Sequence, residues 1–355
     1  MHSYSKFILN KSNNFSLIRH IAALFVLISH SYDLLGKSGE EPLSILSNNF
    51  FSFSRIGLIV FFFISGFLVT QSLVTSKNIV HFLWKRILRI YPALIILIIL
   101  TVFVLGTLFT TFPLSVYFAS SQTWQYFVGG ISLIKLRFYL PGVFNGEGVN
   151  GSLWSLPIEF RLYLMLVLVY FIAGFKRDIL ISLVIILIVF LFFVGVQKYL
   201  SVPKWLGIYI YWGLYFFTGS LVYFLKNKIK LNFLIFFCFV IFYFFPGKLA
   251  ILGRLSELLI ICYGCLLVGF RIPSFKSLFF SENDYSYSIY IYAYPIQQAI
   301  IYVSGRDNIS PVCLMFLTII ILIPFCWMSW NYIEKPALRM KDIFLKKSDS
   351  IPKRL

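Results

Sequence analysis

The sequence predicts an all-α polytopic membrane protein, a bundle of about ten transmembrane helices with both termini cytoplasmic. Three observations predict it. The 355 residues are 59% hydrophobic and only 12% charged, with mean hydropathy +0.87. A soluble domain of this size does not carry that balance. Hydrophobic runs close to membrane-spanning length recur, with short basic or Pro/Gly breaks between them. The cations are also unevenly spread among those breaks.

The predicted spans lie near residues 15–35, 56–75, 87–110, 152–173, 179–197, 205–225, 231–246, 250–270, 285–304 and 311–332. Runs shorter than twenty residues still cross when tilt or local thinning absorbs the mismatch. With the N-terminus inside, and span ends counted with their flanking segments, twenty of the 31 Lys and Arg fall on the cytoplasmic side and nine on the outer side, with Arg19 and Arg161 assigned to the spans. That excess fixes the expected orientation and an even number of spans. It also accounts for the net charge of +18, which in a soluble chain would point to nucleic acid; no nucleic-acid partner is expected here, and the lipid bilayer is. The basic N-terminus MHSYSKFILNKSNN does not read as a cleavable signal. Residues 1–340 are expected to form one transmembrane domain and 341–355 a short basic cytoplasmic tail.

Residues 111–150 break the pattern. They are aromatic and interrupted by Gly and Pro, and too long for a plain connection. A re-entrant or interfacial element on the outer side is expected there. The five cysteines all fall in hydrophobic runs, so neither a disulfide framework nor a metal site is expected. Cys262 and Cys265 form C-x-x-C inside an apolar run, with no second pair or histidine beside them.

Three constellations carry ionisable groups into or against this apolar frame. The first is SLIRHIAALFVLISHSYD, Ser16 to Asp33. Arg19 and His30 are eleven residues apart, almost three turns, so they share a face roughly 16 Å apart along the axis. Asp33 follows His30 by one turn. A charge at mid-bilayer costs about 2.5–3.5 kcal/mol on insertion scales, so such groups usually face a bundle interior and carry a function. The plainer alternative makes Arg19 an interfacial anchor and His30 a packing residue. His2 and His81 are placed outside the spans and His20 about 100° from Arg19, which leaves His30 as the one histidine well inside a span.

The second constellation is NGSLWSLPIEFRLY, Asn150 to Tyr163, opening the fourth span from outside. Ser155, Glu159 and Tyr163 are spaced by four and form a polar stripe. Glu159 is expected at a depth comparable with His30, where a carboxylate would orient an imidazole. The alternative is a structural pairing of Glu159 with an arginine. Arg161 points elsewhere, to neutralise a charge or to snorkel. The third is WKRILRIYPAL, where Arg86 and Arg89 stand one turn apart beside Lys85. It reads either as topology signal or as a guanidinium clamp for a phosphate-bearing donor.

In this order the three resemble the acyltransferase family 3 membrane proteins. The resemblance runs along most of the chain. It includes Arg19 and His30 at the family's spacing, FFFISGFL around Ser65 and Gly66, Arg89-Ile-Tyr-Pro92 with Arg86 ahead of it, and Ser152-Leu-Trp154-Ser-Leu-Pro-Ile-Glu159 with Tyr163. SYSIYIYAYPIQQ and the closing Ile333-Glu334-Lys335-Pro336 complete it. An aspartate common before the first arginine is absent, Gly57-Leu58-Ile59 replaces the family's Gly-x-Asp, and a late histidine is replaced near Ala293, between Tyr292 and Tyr294. His30 is thus left as the intramembrane base.

The resemblance implies a bacterial cytoplasmic-membrane (inner-membrane) enzyme that O-acylates a cell-envelope polysaccharide, lipopolysaccharide or lipid-linked sugar. The implied donor is cytoplasmic acyl-CoA, most often acetyl-CoA, with no metal. His30 would serve as general base, with Glu159 or Asp33 holding it, and Arg19, Arg86 and Arg89 would meet CoA phosphates. Ser65, Trp154, Ser155 and Tyr163 would support the site. The competing classes are a flippase or transporter and an envelope glycan polymerase, which share basic loops and isolated intramembrane charges. The sequence shows none of the repeated halves common in transporters.

Overall fold

The computed structural model describes residues 13–174, 176–196, 203–244, 250–273 and 283–343. His2 and the tail beyond residue 343 lie outside them. Among the described residues the chain is helical with no strand; Thr110 and Val143 form an isolated β-bridge. The principal helices are α1 (Phe15–Asp33), α2 (Phe53–Thr75), α3 (Ile79–Leu100), α4 (Leu114–Ala119), α5 (Ser121–Ser132), α6 (Ser155–Ile172) and α7 (Arg177–Val196). They continue with α8 (Lys204–Leu225), α9 (Phe233–Phe244), α10 (Ala250–Phe270), α11 (Ser286–Ser304), α12 (Pro311–Met328) and α13 (Lys335–Arg339). Each of the ten predicted runs has a helix. Among the described residues, 7 helices are long and apolar enough to cross a membrane, while Asp178–Phe193 and Phe233–Tyr243 are shorter apolar stretches. Helix α11 has 19 residues, but its tyrosines, serines and two glutamines dilute its hydropathy.

The chain divides into two compact units. The first comprises Met1–Ala22, Arg55–Thr75 and Ile158–Glu282. Its start is tied down by Asn14, whose amide donates to the carbonyls of Val268 and Ile272 at 3.0 Å each. Val268 lies in the last turn of α10, where carbonyls lack intrahelical partners, and Ile272 just beyond it. Helices α7 and α8 pair, α9 and α10 pair, and α10 also packs on α7 and α8. Contact between α2 and α8 depends on two glycines: a Cβ on Gly66 would stand 1.8 Å from the Phe216 carbonyl oxygen, and one on Gly219 2.0 Å from that of Phe63. Small residues let two helix backbones touch where lipid supplies no hydrophobic drive. The crossing also holds a hydrogen bond, Thr70 Oγ1 to Ser220 Oγ at 2.8 Å.

The second unit comprises Ala23–Ser54, Ser76–Pro157 and Asn283–Leu355. Here α11 packs on α12 and α3, and α3 carries α5. Helix α3 starts cleanly because the Asn78 side chain accepts the His81 N–H at 2.7 Å. At its far end it widens into a π-turn, Thr101–Leu105, before Gly106–Phe109. A π-turn leaves its carbonyls poorly matched. The Tyr117 hydroxyl, on α4, donates to the Val102 carbonyl at 2.9 Å and reaches it because Gly106 has no Cβ. Burial pushes the Tyr117 hydroxyl pKa up to about 12. The 111–150 segment is therefore folded into α4, α5 and a short 3-10 turn, Phe144–Gly146. His81 is not a loop residue: it lies in the first turn of α3, buried, with Nε2 3.6 Å from Asp342.

Two polar side chains fix the C-terminal end of α1. Buried Glu41 accepts the Ser29 hydroxyl at 2.7 Å and the Phe53 N–H at 2.5 Å, while Ser29 Oγ accepts the Ser54 N–H at 2.7 Å. These N–H groups open α2 and have no partner within it. A carboxylate there also opposes the positive end of the helix dipole.

Candidate active site

Helix α1 is continuous from Phe15 to Asp33, and the boundary between the units falls after Ala22. Arg19 therefore belongs to the first unit and His30 to the second. The His30 side chain is 18% exposed, so it is neither sealed in nor free in solvent. Its Nδ1 stands 3.9 Å from Asp33 Oδ2, an electrostatic contact one turn apart rather than a hydrogen bond. The Tyr294 ring stands edge-on to the imidazole, centroids 5.2 Å apart at 77°. Beside it, Gln297 on α11 donates to the Leu27 carbonyl at 3.0 Å and to Ser31 Oγ at 2.8 Å, pinning the His30 turn of α1 to α11.

The predicted stripe on the fourth span divides. Glu159 accepts the Ser65 hydroxyl at 2.7 Å and also that of Tyr163, and the two hydroxyls lie 3.2 Å apart. Ser155 instead meets the Tyr290 hydroxyl at 2.5 Å, and that hydroxyl donates to the Ser152 carbonyl at 2.8 Å. The reason is local. Residues Gly151–Trp154 form a 3-10 turn before α6, with Asn150 as cap, and Ser155 is the first residue of the helix proper. Trp154 ends that turn, partly buried. Arg161 is exposed and reaches the Tyr209 hydroxyl.

At the start of α3, Arg86 lies partly buried with its guanidinium 5.9 Å from the Phe82 ring centroid. Arg89 is held by two carboxylates: Asp284 at 2.7 Å and Glu334 at 3.4 Å. Glu334 is buried, accepts the hydroxyls of Ser288 and Ser329, and ends the π-turn Ser329–Glu334 that follows α12. The Tyr287 hydroxyl donates to the Ile90 carbonyl at 2.8 Å. Three strings singled out in the sequence thus converge: Arg-Ile-Tyr-Pro, Ser-Tyr-Ser-Ile-Tyr and Ile-Glu-Lys-Pro.

Sequence reasoning missed Glu41, Asp284 and the pairing of Arg55 with Glu257, and it gave Tyr290 no role of its own. Arg55 Nε lies 2.8 Å from Glu257 Oε1, with the carboxylate wholly buried on α10. A lone glutamate in an apolar run was a signal for that pair, and it went unread.

The chain matches the family model described as an acyltransferase domain over residues 12–331. It is 31% identical over 358 residues to an O-acetyl transferase of Shigella phage Sf6, covering 93% of this chain and 97% of that protein. It is 33% identical over 163 residues to Nodulation protein 10 of Rhizobium leguminosarum bv. viciae, covering 43% of each. No solved structure matches it. With the family model spanning most of the sequence and the phage relative aligned almost end to end, the chain belongs to the acyltransferase 3 family and is an acyltransferase built from membrane-length helices.

Proposed function

We propose that the chain transfers an acetyl group from cytoplasmic acetyl-CoA to a hydroxyl of a cell-envelope sugar, with His30 as general base. In this reading it crosses the bacterial cytoplasmic membrane ten times, with both termini inside. The observation that carries the proposal is His30 itself: a partly exposed imidazole on a hydrophobic helix, with Asp33 beside Nδ1 and Tyr294 against its ring.

An alcohol is a poor nucleophile at neutral pH and needs its proton removed as it attacks. His30 takes that proton through Nε2. The hydroxyl oxygen bonds to the thioester carbonyl carbon, and the carbon–sulfur bond then breaks. The imidazolium returns the proton to the departing sulfur, releasing CoA as the thiol. Asp33 favours the tautomer with the proton on Nδ1 and stabilises the imidazolium. Glu159 already accepts two hydroxyls, so its role is to hold Ser65 and Tyr163. Arg86 meets donor phosphates, for which a guanidinium suits both charge and geometry. Arg89, matched by two carboxylates, ties the start of α11 and the Ser329–Glu334 turn to α3, which carries Arg86. Ser155 and Trp154 shape the entry to α6.

The test is transfer of isotope from acetyl-labelled acetyl-CoA in membranes with and without the protein. Label in envelope glycan only when the protein is present supports the reading. Unlabelled glycan, with polymer export lost on deletion, would indicate a flippase instead.

A further inference from the structure

Gly148 lies in the segment Gly146–Gly151, which runs past Tyr294. Most close glycines here have an evident cause. Gly151 needs to be glycine because a Cβ would stand 2.7 Å from the Tyr294 ring, and Gly146 has φ +85°. Gly148 has neither cause. Its φ is outside the left-handed region, and a Cβ would meet only the Tyr294 hydroxyl at 3.6 Å, the Phe138 carbonyl at 3.9 Å and Tyr139 Cε1 at 4.0 Å. These are ordinary contact distances, so an alanine would fit. The glycine leaves a partly exposed notch between two tyrosines, and one of them packs against His30.

The walls of the notch are held in place. Gln298 donates to the Gly148 carbonyl at 2.7 Å, and the Val149 N–H donates to the Phe138 carbonyl at 2.6 Å. Tyr139 remains 51% exposed. A tyrosine offers an apolar face and a polar tip, which is the pairing a pyranose needs: C–H groups against a ring, hydroxyls against a phenol. The carboxylates nearest Tyr294 are Asp33, which contacts His30, and Glu147, next to Gly148 and paired with Arg306 at 2.9 Å.

Resting on the acetyl-transfer reading above, we propose that Tyr139, Tyr294 and Gly148 form the acceptor subsite, and that it takes an uncharged pyranose rather than a uronic acid. The sugar ring lies against Tyr139 with one edge in the Gly148 notch. Its reacting hydroxyl points past Tyr294 to His30, while the Asp33 carboxylate beside His30 repels an anionic ring.

The test uses the full-length protein in detergent with labelled acetyl-CoA and a panel of methyl glycosides of neutral hexoses and 6-deoxyhexoses, each beside its uronate where one exists. The proposal expects at least one neutral glycoside to be labelled at least tenfold faster than any uronate. Gly148→Val is expected to raise KM for that glycoside tenfold or more, with KM for acetyl-CoA within twofold of wild type. Tyr139→Ala should raise the same KM about fivefold. Gly148→Ala, which the distances accommodate, supplies a folded control with a smaller shift in the same direction. Faster labelling of uronates, no labelling of any neutral glycoside, or a Gly148→Ala or Tyr139→Ala shift in acetyl-CoA KM instead would overturn the subsite. Label reaching envelope glycan in wild-type membranes would still stand as support for acetyl transfer, so the two failures are distinguishable.

Discussion

Arg55 and Arg89 make an instructive pair, one in each unit. Arg55 meets one wholly buried carboxylate, Glu257, and shares the Tyr211 hydroxyl at 3.0 Å. Arg89 meets two carboxylates, Asp284 with 23% side-chain exposure and Glu334 with 3%. The first is a one-to-one match in which each partner cancels the other. The second has an excess of negative charge, shared with the hydroxyls of Ser288 and Ser329. Taking ions out of water costs several kcal/mol each, and only good geometry with further hydrogen bonds offsets it. The two solutions therefore differ in what each loses when one member is removed.

The largest effect is expected at Arg89. Arg89→Ala removes the guanidinium that bridges Asp284 and Glu334, and should lower stability by about 3–5 kcal/mol. Thermal unfolding in detergent checks this. Glu257→Ala comes next, at about 3 kcal/mol, because Arg55 is 30% exposed and can turn toward water. Glu257→Gln should cost less than Glu257→Ala, since the amide oxygen still accepts from Arg55 and Tyr211. An equal cost for the two would mean that charge, not hydrogen bonding, holds the pair. The smallest effect is expected for Arg306→Ala, whose partnership with Glu147 is about half exposed on both sides, 47% and 52%. Such pairs are worth at most about 1 kcal/mol. A loss at Arg306 as large as that at Glu257 would break the contrast between buried and exposed pairs.

The same two arginines show what was legible in the sequence. Arg89 stood in a recognisable string, and so did its partner Glu334; convergence of such strings is what a shared site would require. Glu257 stood alone in the predicted 250–270 run, ahead of Cys262 and Cys265 and outside every family-like string, and nothing local tied it to Arg55. Helix existence was legible because hydrophobic runs are set by composition. Pairing was not, because it depends on contacts more than two hundred residues apart, as between Arg55 and Glu257. The Ser155–Glu159–Tyr163 stripe illustrates the limit. Spacing by four placed the residues on one helical face, but the 3-10 turn before α6 and the reach of Tyr290 gave Ser155 a different partner. The two π-turns were invisible to periodicity, although Gly106 and the Ile-Glu-Lys-Pro string lie beside them.

Acetyl transfer by the His30→Ala variant is the most direct measurement. It should be made with labelled acetyl-CoA in membranes adjusted to equal protein levels. Removing a general base typically costs about 10²–10⁴ in rate, and the account predicts a loss in that range with KM for acetyl-CoA little changed. Transfer within threefold of wild type would contradict it.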